Sequence, residues 1–518
     1  MTAKTIAFRV DASFAMGTGH VMRCLALAEG LKSDGVDIVF VCRKHTGHML
    51  GVIESRGFRT IGLQAPTTNW TATGAQPTHA QWLGVDWQTD ADDTIAALDC
   101  MRLDWLIVDH YALDARWEQR VAGLASRIAV IDDLADRLHA CHILIDQNLV
   151  SGARERYVEL VPEGAALLLG PNYALLQPDY RHFRADARPR GGSIRRILVS
   201  FGGVDSLGLT AMAVDALLAE HNGELEVDVV LSAQAPDYVR IEQKIVGLAH
   251  FRFHDRVPSL AGLMLRADLM IGAGGTTSWE RLCLGLPAIV ITMAENQRSI
   301  AEELARRGLV RWLGDASQAT VTMLRTELAA LFREGLDAGW SEKCLSIVDG
   351  RGVERVSTVL GANRDMPIVI RNAMADDEAL LLEWANDPQT RQNAFNPQAI
   401  STQAHHDWFT KRLNRPDHCV LFIAETESGI PIGQIRFERE GLEWEISYAL
   451  APMFRGVGLG RPMLDRAIQH LRGQRAVISL LGQVKIDNPA SSKIFTALGF
   501  RRRQASPDRY IFERSFKE

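Results

Sequence analysis

A chain of 518 residues is too long for one ordinary hydrophobic core and, at roughly 100 to 200 residues per domain, should hold about three. With 47% hydrophobic and 23% charged residues it reads as globular, and a net charge of −6 gives no overall electrostatic case for nucleic acid or an anionic membrane as a partner. Seven cysteines without a Cys-x-x-Cys pair read as reduced thiols, not as a disulfide or zinc framework. The N-terminus turns polar at Arg9 before a signal-peptide core forms, and no apolar run approaches a membrane span, so the chain is expected to be soluble and cytoplasmic.

In chain order, the apolar run Thr5 to Val10 predicts a buried strand. Gly17-Thr18-Gly19 then hands His20 to a helix whose Val21, Leu25, Ala28 and Leu31 recur at helical spacing. A histidine at a positive helix N-terminus is biased toward its neutral form and can accept a proton from water. The alternative is a histidine that merely opens a helix beside an ordinary glycine turn. Val36 to Cys42 predicts a second strand, and Asp104 to Leu113 a third whose C-terminal end carries Asp109, His110 and Tyr111. Strands alternating with helical stretches predict a parallel sheet whose ligands collect at the strands' C-terminal ends. From Thr67 to Gln81 a stretch rich in Thr, Asn, Pro and Gly predicts a long surface loop, either a lid or slack chain.

Pro171 to Ser193, with its prolines, arginines and Gly-Gly pair, reads as the passage into a second domain. There Arg195–Gly203, Leu225–Ser232, Phe251–Val257, Ala267–Gly275 and Pro287–Met293 again alternate with helical stretches. Two such α/β domains in tandem form a cleft suited to a ligand with two different halves. Gly274-Gly275-Thr276-Thr277-Ser278-Trp279-Glu280 puts backbone N–H groups and hydroxyls at a helix start, suited to a diphosphate, with Glu280 a turn in and able to accept from a ribose; a plain capped helix is the alternative. Asn296 and Gln297 end the strand that follows, where their amides would serve either a sugar or a helix cap.

RVDAS, GTGHVMRCLALA, VDHY, SFGG and GAGGTTSWERLCLGLP followed by ENQ resemble the nucleotide-sugar hydrolase family of pseudaminic acid biosynthesis, relatives of the two-domain GT-B glycosyltransferases, over roughly residues 1 to 360. The resemblance implies removal of UDP from UDP-2,4-diacetamido-2,4,6-trideoxy-β-L-altropyranose, with water inverting the anomeric carbon and no metal. It implies His20 as the base and Glu280 on the ribose. Gly17, Gly19, Gly202, Gly203, Gly274, Gly275 and Thr276 then belong to the substrate loops, and Tyr111 and Asn296 match positions near the sugar, with Gln297 beside them as a further candidate. Asp11, at the end of the first strand, is expected either to orient His20 or to cap the loop.

After the polar break Gly361 to Asp365 the texture changes: consecutive strands without long helices between them predict a mainly antiparallel sheet. Arg455-Gly456-Val457-Gly458-Leu459-Gly460 then opens a helix, and Asn488-Pro489-Ala490-Ser491-Ser492-Lys493-Ile494-Phe495 follows some thirty residues on. This pair resembles the GNAT family of acetyl-CoA-dependent N-acetyltransferases, over roughly residues 366 to 518. The resemblance implies acetyl-CoA as cosubstrate, with its pyrophosphate on Arg455, Gly456, Val457, Gly458 and Gly460, its pantetheine along Leu450, and Asn488 near its arm. Many members carry a tyrosine acid where this chain has Phe495, so either Tyr448, a water or no specific acid serves. Glu443 and Glu445 share one strand face, as amine bases or as surface groups, and Trp384, Asn386, Asp387, Arg391 and Trp408 form a candidate substrate cluster.

The expected architecture is two Rossmann-like domains in GT-B arrangement, residues 1–175 and 176–361, followed by an α+β GNAT domain, residues 366–518. The expected partners are a UDP-sugar and acetyl-CoA. Fusion of the two resemblances suggests consecutive steps on one substrate, 4-N-acetylation and then hydrolysis; a UDP-sugar glycosyltransferase and a non-catalytic sensor are the competing classes.

Overall fold

Strands of β-branched and aromatic residues that are buried on both faces make parallel sheets sandwiched by helices. That pattern fills the first unit of the chain. The computed structural model describes residues 4–32, 35–66, 70–72, 76–202, 205–220, 225–255, 257–441 and 443–516, and the chain divides into units of residues 1–357 and 358–518. The first sheet contains β1 (Lys4–Val10), β2 (Val36–Arg43), β3 (Arg59–Leu63), β4 (Leu103–Asp109), β5 (Ala125–Ile131), β6 (Ile143–Asp146) and β7 (Ala166–Leu169), in the order β3-β2-β1-β4-β5-β6-β7. The second contains β8 (Arg196–Ser200), β9 (Glu226–Val230), β10 (Phe251–His254), β11 (Leu269–Ala273), β12 (Ala288–Thr292) and β13 (Arg311–Asp315), in the order β10-β9-β8-β11-β12-β13.

In both sheets the order reverses once, between β1 and β4 and between β8 and β11, and the crevice at such a switch point is where open α/β sheets bind ligands. The His20 loop follows β1, whose last residue Val10 pairs with Asp109, the last of β4. In the second sheet Gly272 lies so close to β8 that a side chain's Cβ would stand 2.5 Å from the Ser200 carbonyl oxygen, which is why this strand carries glycine there. The expected third strand stops at Asp109 instead of running to Leu113. Past the end of β1 nothing pairs it, and a turn closed by Leu113 N–H on the His110 carbonyl at 3.1 Å redirects the chain.

The first sheet is cross-braced by buried charge. Arg9 grips Asp11 and Asp90 at 2.6 Å each, Arg43 reaches Asp90 at 2.7 Å, and Trp117 Nε1 donates to Asp90 at 3.0 Å.

The second unit holds β14 (Val369–Asn372), β15 (Cys419–Glu425), β16 (Pro431–Glu440), β17 (Glu443–Leu450), β18 (Ser479–Lys485), β19 (Arg501–Ser506) and β20 (Arg509–Ser515), in the order β14-β15-β16-β17-β18-β20-β19. Its pairs are antiparallel except β17 with β18. Among the described residues no helix is long and apolar enough to cross a membrane.

Candidate functional site

His20 opens the helix Gly19–Leu31, and the glycine loop before it turns through Gly17 at φ +76°, a conformation that side chains resist. The ring is 8% exposed, with Nδ1 2.6 Å from Asp109 Oδ1. Burial alone would raise the Asp109 carboxyl, but the charge of Arg23 and the hydrogen bonds from Arg23 and His20 hold it well below the ordinary range, so it is an anion. Arg23 clamps it with two bonds of 2.7 Å and reaches Asp133 at 2.9 Å. An ionised carboxylate at Nδ1 fixes the proton on that nitrogen and leaves Nε2 as the acceptor, a dyad made for taking a proton from water.

The ring is walled by aromatics. Tyr111 meets it edge-on with centroids 4.5 Å apart, and Trp82 does so at 6.4 Å. The Tyr111 hydroxyl donates to Asp133, and burial with that carboxylate keeps it a phenol. Tyr111 therefore offers the site its ring.

Asp11 does not orient His20. Its carboxylate is consumed by both Arg9 nitrogens at 2.6 and 2.9 Å and by the Arg43 amide at 2.6 Å, with His110 and His45 approaching at 3.3 and 3.5 Å. The orienting carboxylate comes from the neighbouring strand instead, because β1 and β4 end side by side.

The turn Gly274 to Glu280 stands across from this loop: a Cβ built on Gly19 would lie 3.7 Å from Thr276 Oγ1. The two sheets' glycine turns thus face each other at one cleft, with the helix Thr277–Cys283 directing its first amides toward it. Glu280 is partly buried, and burial pushes its carboxyl up to about 7, with the Tyr180 hydroxyl and Arg281 drawing it back. Gln297 lies against the turn: its Oε1 accepts from Met293 N–H at 3.0 Å and its Nε2 is 3.5 Å from the Cβ position of Gly275. It buttresses the glycines, while Asn296 is half-buried beside it. Gly202, at φ +94°, lies two residues past the end of β8 at the switch point, and Gly203 lies outside the described residues.

In the second unit β17 and β18 pair only from Glu443/Ser479 to Ile446/Gly482, and Ser447 to Leu450 then diverge from β18. The opening leaves one edge of β17 available to an extended ligand arm. Directly after it, Gly456 and Gly458 adopt φ of +74° and +89°, and Gly460 starts the helix Gly460–Gln474 so close to Ile494 that a Cβ would stand 2.6 Å from its Cδ1. Leu450 closes the same corner, 3.7 Å from that position, and Val457 lies between the two positive-φ glycines.

Arg455 is not a free cation here. Asp387 at 2.6 Å, Gln389 at 2.9 Å and Thr390 at 2.8 Å occupy its guanidinium, so it ties this loop to the helix Pro388–Asn393. Asn488 caps the helix Pro489–Ala497, accepting from Ser491 N–H at 3.1 Å.

Phe495 is packed into the core between Phe500 and Phe512, its ring on Gly482. The hydroxyl at this corner belongs to Tyr448, which donates to Ser491 Oγ at 3.1 Å and is raised to about 12 by burial. Glu445 accepts from Gln483 at 3.0 Å, a bond that spans the parting strands. The expected cluster around Trp384 separates: Trp384 is core, Asn386 trades hydrogen bonds with the Ile400 backbone, and Trp408 lies between Arg412 and Arg436.

Residues 368–501 match the acetyltransferase (GNAT) domain family. An uncharacterised protein of Methanocaldococcus jannaschii is 21% identical over 526 residues, covering 98% of this chain and 99% of that protein. The UDP-2,4-diacetamido-2,4,6-trideoxy-β-L-altropyranose hydrolase of Campylobacter jejuni is 21% identical over 304 residues, 58% of this chain and 97% of that protein. The crystal structure of Acinetobacter baumannii MurG is similar with a TM-score of 0.48 at 12% identity, covering 69% of this chain and 99% of MurG.

The GNAT match lies within the second unit, and the first unit, with its two parallel, Rossmann-like sheets, holds the stretch similar in sequence to the hydrolase.

Proposed function

We propose that the chain catalyses two consecutive reactions: acetylation of the 4-amine of UDP-4-amino-4,6-dideoxy-N-acetyl-β-L-altrosamine, then hydrolysis of the product to UDP and 2,4-diacetamido-2,4,6-trideoxy-L-altrose. The observation that carries the hydrolytic half is the His20–Asp109 dyad opposite the Gly274–Glu280 turn. With UDP on that turn, His20 Nε2 takes a proton from a water that attacks the anomeric carbon. The bond to the β-phosphate oxygen breaks with its electrons leaving on UDP, and the configuration inverts. Asp109 stays ionised and stabilises the imidazolium, while the turn's amides receive the charge that develops on the phosphate.

In isotopically labelled water without any acceptor, the label should appear on the sugar's anomeric carbon. Label on UDP, or sugar release only when an acceptor is added, would assign the site to another reaction.

Glu280 supplies a pH dependence with a definite sign. Its carboxyl is raised from 4.5 to about 7, so the folded chain binds a proton that the unfolded chain releases, and this group's contribution to stability falls as pH rises across that window. Ribose hydroxyls donate best to the ionised form. UDP affinity measured by titration calorimetry should therefore rise as pH rises through about 7, and Glu280→Gln should flatten that rise. A flat profile in the native protein would place the ribose elsewhere.

The parting of β17 and β18, the positive-φ glycines and Gly460 fit a coenzyme A thioester, whose bound acetyl group supplies the electrophile. Glu445, steadied by Gln483, takes the amine's proton directly or through water, and Tyr448 faces the opening with a proton that burial holds in place. Tyr448→Phe should lower the rate of thiol release from acetyl-CoA roughly 10²- to 10⁴-fold, with little change in KM and unchanged UDP release from pre-acetylated substrate. An unchanged rate would leave the thiolate without a protein acid.

A further inference from the structure

We propose that the turn carrying His79 and Trp82 is the sugar-selecting wall of the hydrolytic site, holding the deoxygenated, N-acylated edge of the hexose; this rests on the hydrolase reading above. The segment falls where the sequence predicts a lid or slack chain, but its described part is built. A single 3₁₀ turn, Ala80–Leu83, is anchored by the buried side chains of Ala80 and Leu83, and Leu83 joins the core of the first sheet. Gln81 locks the chain before it, donating to the Trp70 carbonyl at 2.6 Å and accepting from Ala72 N–H at 3.1 Å. Gly84 leaves the turn at φ +73°, against Pro66.

What this turn delivers is a corner of rings. Trp82 stacks on Tyr111 at 5.7 Å and 26°, and His79 leans on both, 4.5 Å from Trp82 and 5.4 Å from Tyr111. Trp82 and Tyr111 both present edges to the His20 ring. His79 and Trp82 are half-buried, so part of each residue stays accessible beside the buried Tyr111.

The site is therefore two-sided. Around His20 Nδ1 lie the charged groups Asp109, Arg23 and Asp133; on the aromatic side stand rings, with burial favouring the neutral form of His79 beside Asp136, Arg137 and His20. Tyr111 spends its hydroxyl on Asp133. A wall of this kind gains from C–H-rich sugar faces, methyl and acetyl groups, and does not repay the desolvation of an added hydroxyl. The chemical class it selects is a UDP-linked 6-deoxy-hexose with N-acyl substituents.

An apolar wall discriminates against one added hydroxyl by roughly 10- to 100-fold in kcat/KM. The test compares UDP-2,4-diacetamido-2,4,6-trideoxy-β-L-altropyranose with its 6-hydroxy counterpart on the full chain. The native enzyme should prefer the deoxy sugar by that ratio, Trp82→Ala should bring the ratio close to one with KM for the deoxy sugar raised, and Trp82→Phe should keep most of the preference. UDP affinity should be unchanged in both variants, which also shows that they are folded. An undiminished ratio in Trp82→Ala with turnover intact overturns the wall alone; failure of the native enzyme to hydrolyse either sugar overturns the hydrolase reading and the wall with it.

Discussion

His20→Asn should lower UDP release by roughly 10²- to 10⁴-fold, the usual contribution of a positioned general base, while acetyl transfer proceeds unchanged. Asparagine offers no nitrogen that accepts a proton, yet it is close enough in size to leave the Gly17–Gly19 loop in place. Asp109→Asn tests the same dyad from behind. Its amide would turn a donor toward Nδ1, drive the imidazole proton to Nε2 and so remove the base, while also costing Arg23 the bond that its Nη2 donates to Oδ1. A loss of roughly 10²-fold or more is expected for Asp109→Asn as well. If Asp109→Asn hydrolyses at the native rate while His20→Asn does not, Asp109 is a structural partner of Arg23 only. Retained hydrolysis in His20→Asn removes the dyad from the mechanism.

The largest stability effect should come from Asp90, far from the chemistry. This fully buried carboxylate takes Arg9, Arg43 and the Trp117 indole together. Asp90→Ala leaves two buried guanidinium groups under-compensated, and breaking a buried pair from one side costs about 3–5 kcal/mol. Scanning calorimetry should show the N-terminal unit melting roughly 10 °C lower, with the acetyltransferase transition unmoved. Burial alone would raise the Asp90 carboxyl, but Arg9 and Arg43 hold it below its ordinary value of 3.8. Its stabilisation is thus complete at neutral pH and is lost only as pH falls below that value. A melting temperature equal to native would mean the arginines find water or other partners.

Much of this was legible in the sequence where the signal is local. A strand, a glycine turn and a helix start lie within a few residues at His20, at Gly274–Glu280 and at Arg455–Gly460, so the loops themselves can be placed from short-range signals alone. What was not legible depends on which strand ends lie side by side. Asp109 is 89 residues from His20, and only the β1/β4 pairing makes it the partner in place of Asp11, which is nearer in sequence but points into the Arg9 cluster.

Arg23 carries a signal that a closer reading of the helix finds: a charged residue on the buried face, three positions from His20. Arg455 reads as a phosphate ligand from its motif because Asp387, which neutralises it, lies in a different helix's cap. Trp82 and His79 sit in composition typical of a loop, and nothing in such composition reports that Gln81 and the buried Leu83 hold them against Tyr111.

The account's central claim is that one chain acetylates a UDP-linked amino sugar and then hydrolyses the product. The most direct measurement follows UDP and the sugar by NMR after mixing the protein with the 4-amino sugar nucleotide, with and without acetyl-CoA. With acetyl-CoA, the N-acetyl signal should appear first and UDP should follow it; without acetyl-CoA, UDP should not accumulate. UDP released at the same rate whether or not acetyl-CoA is present would contradict the account.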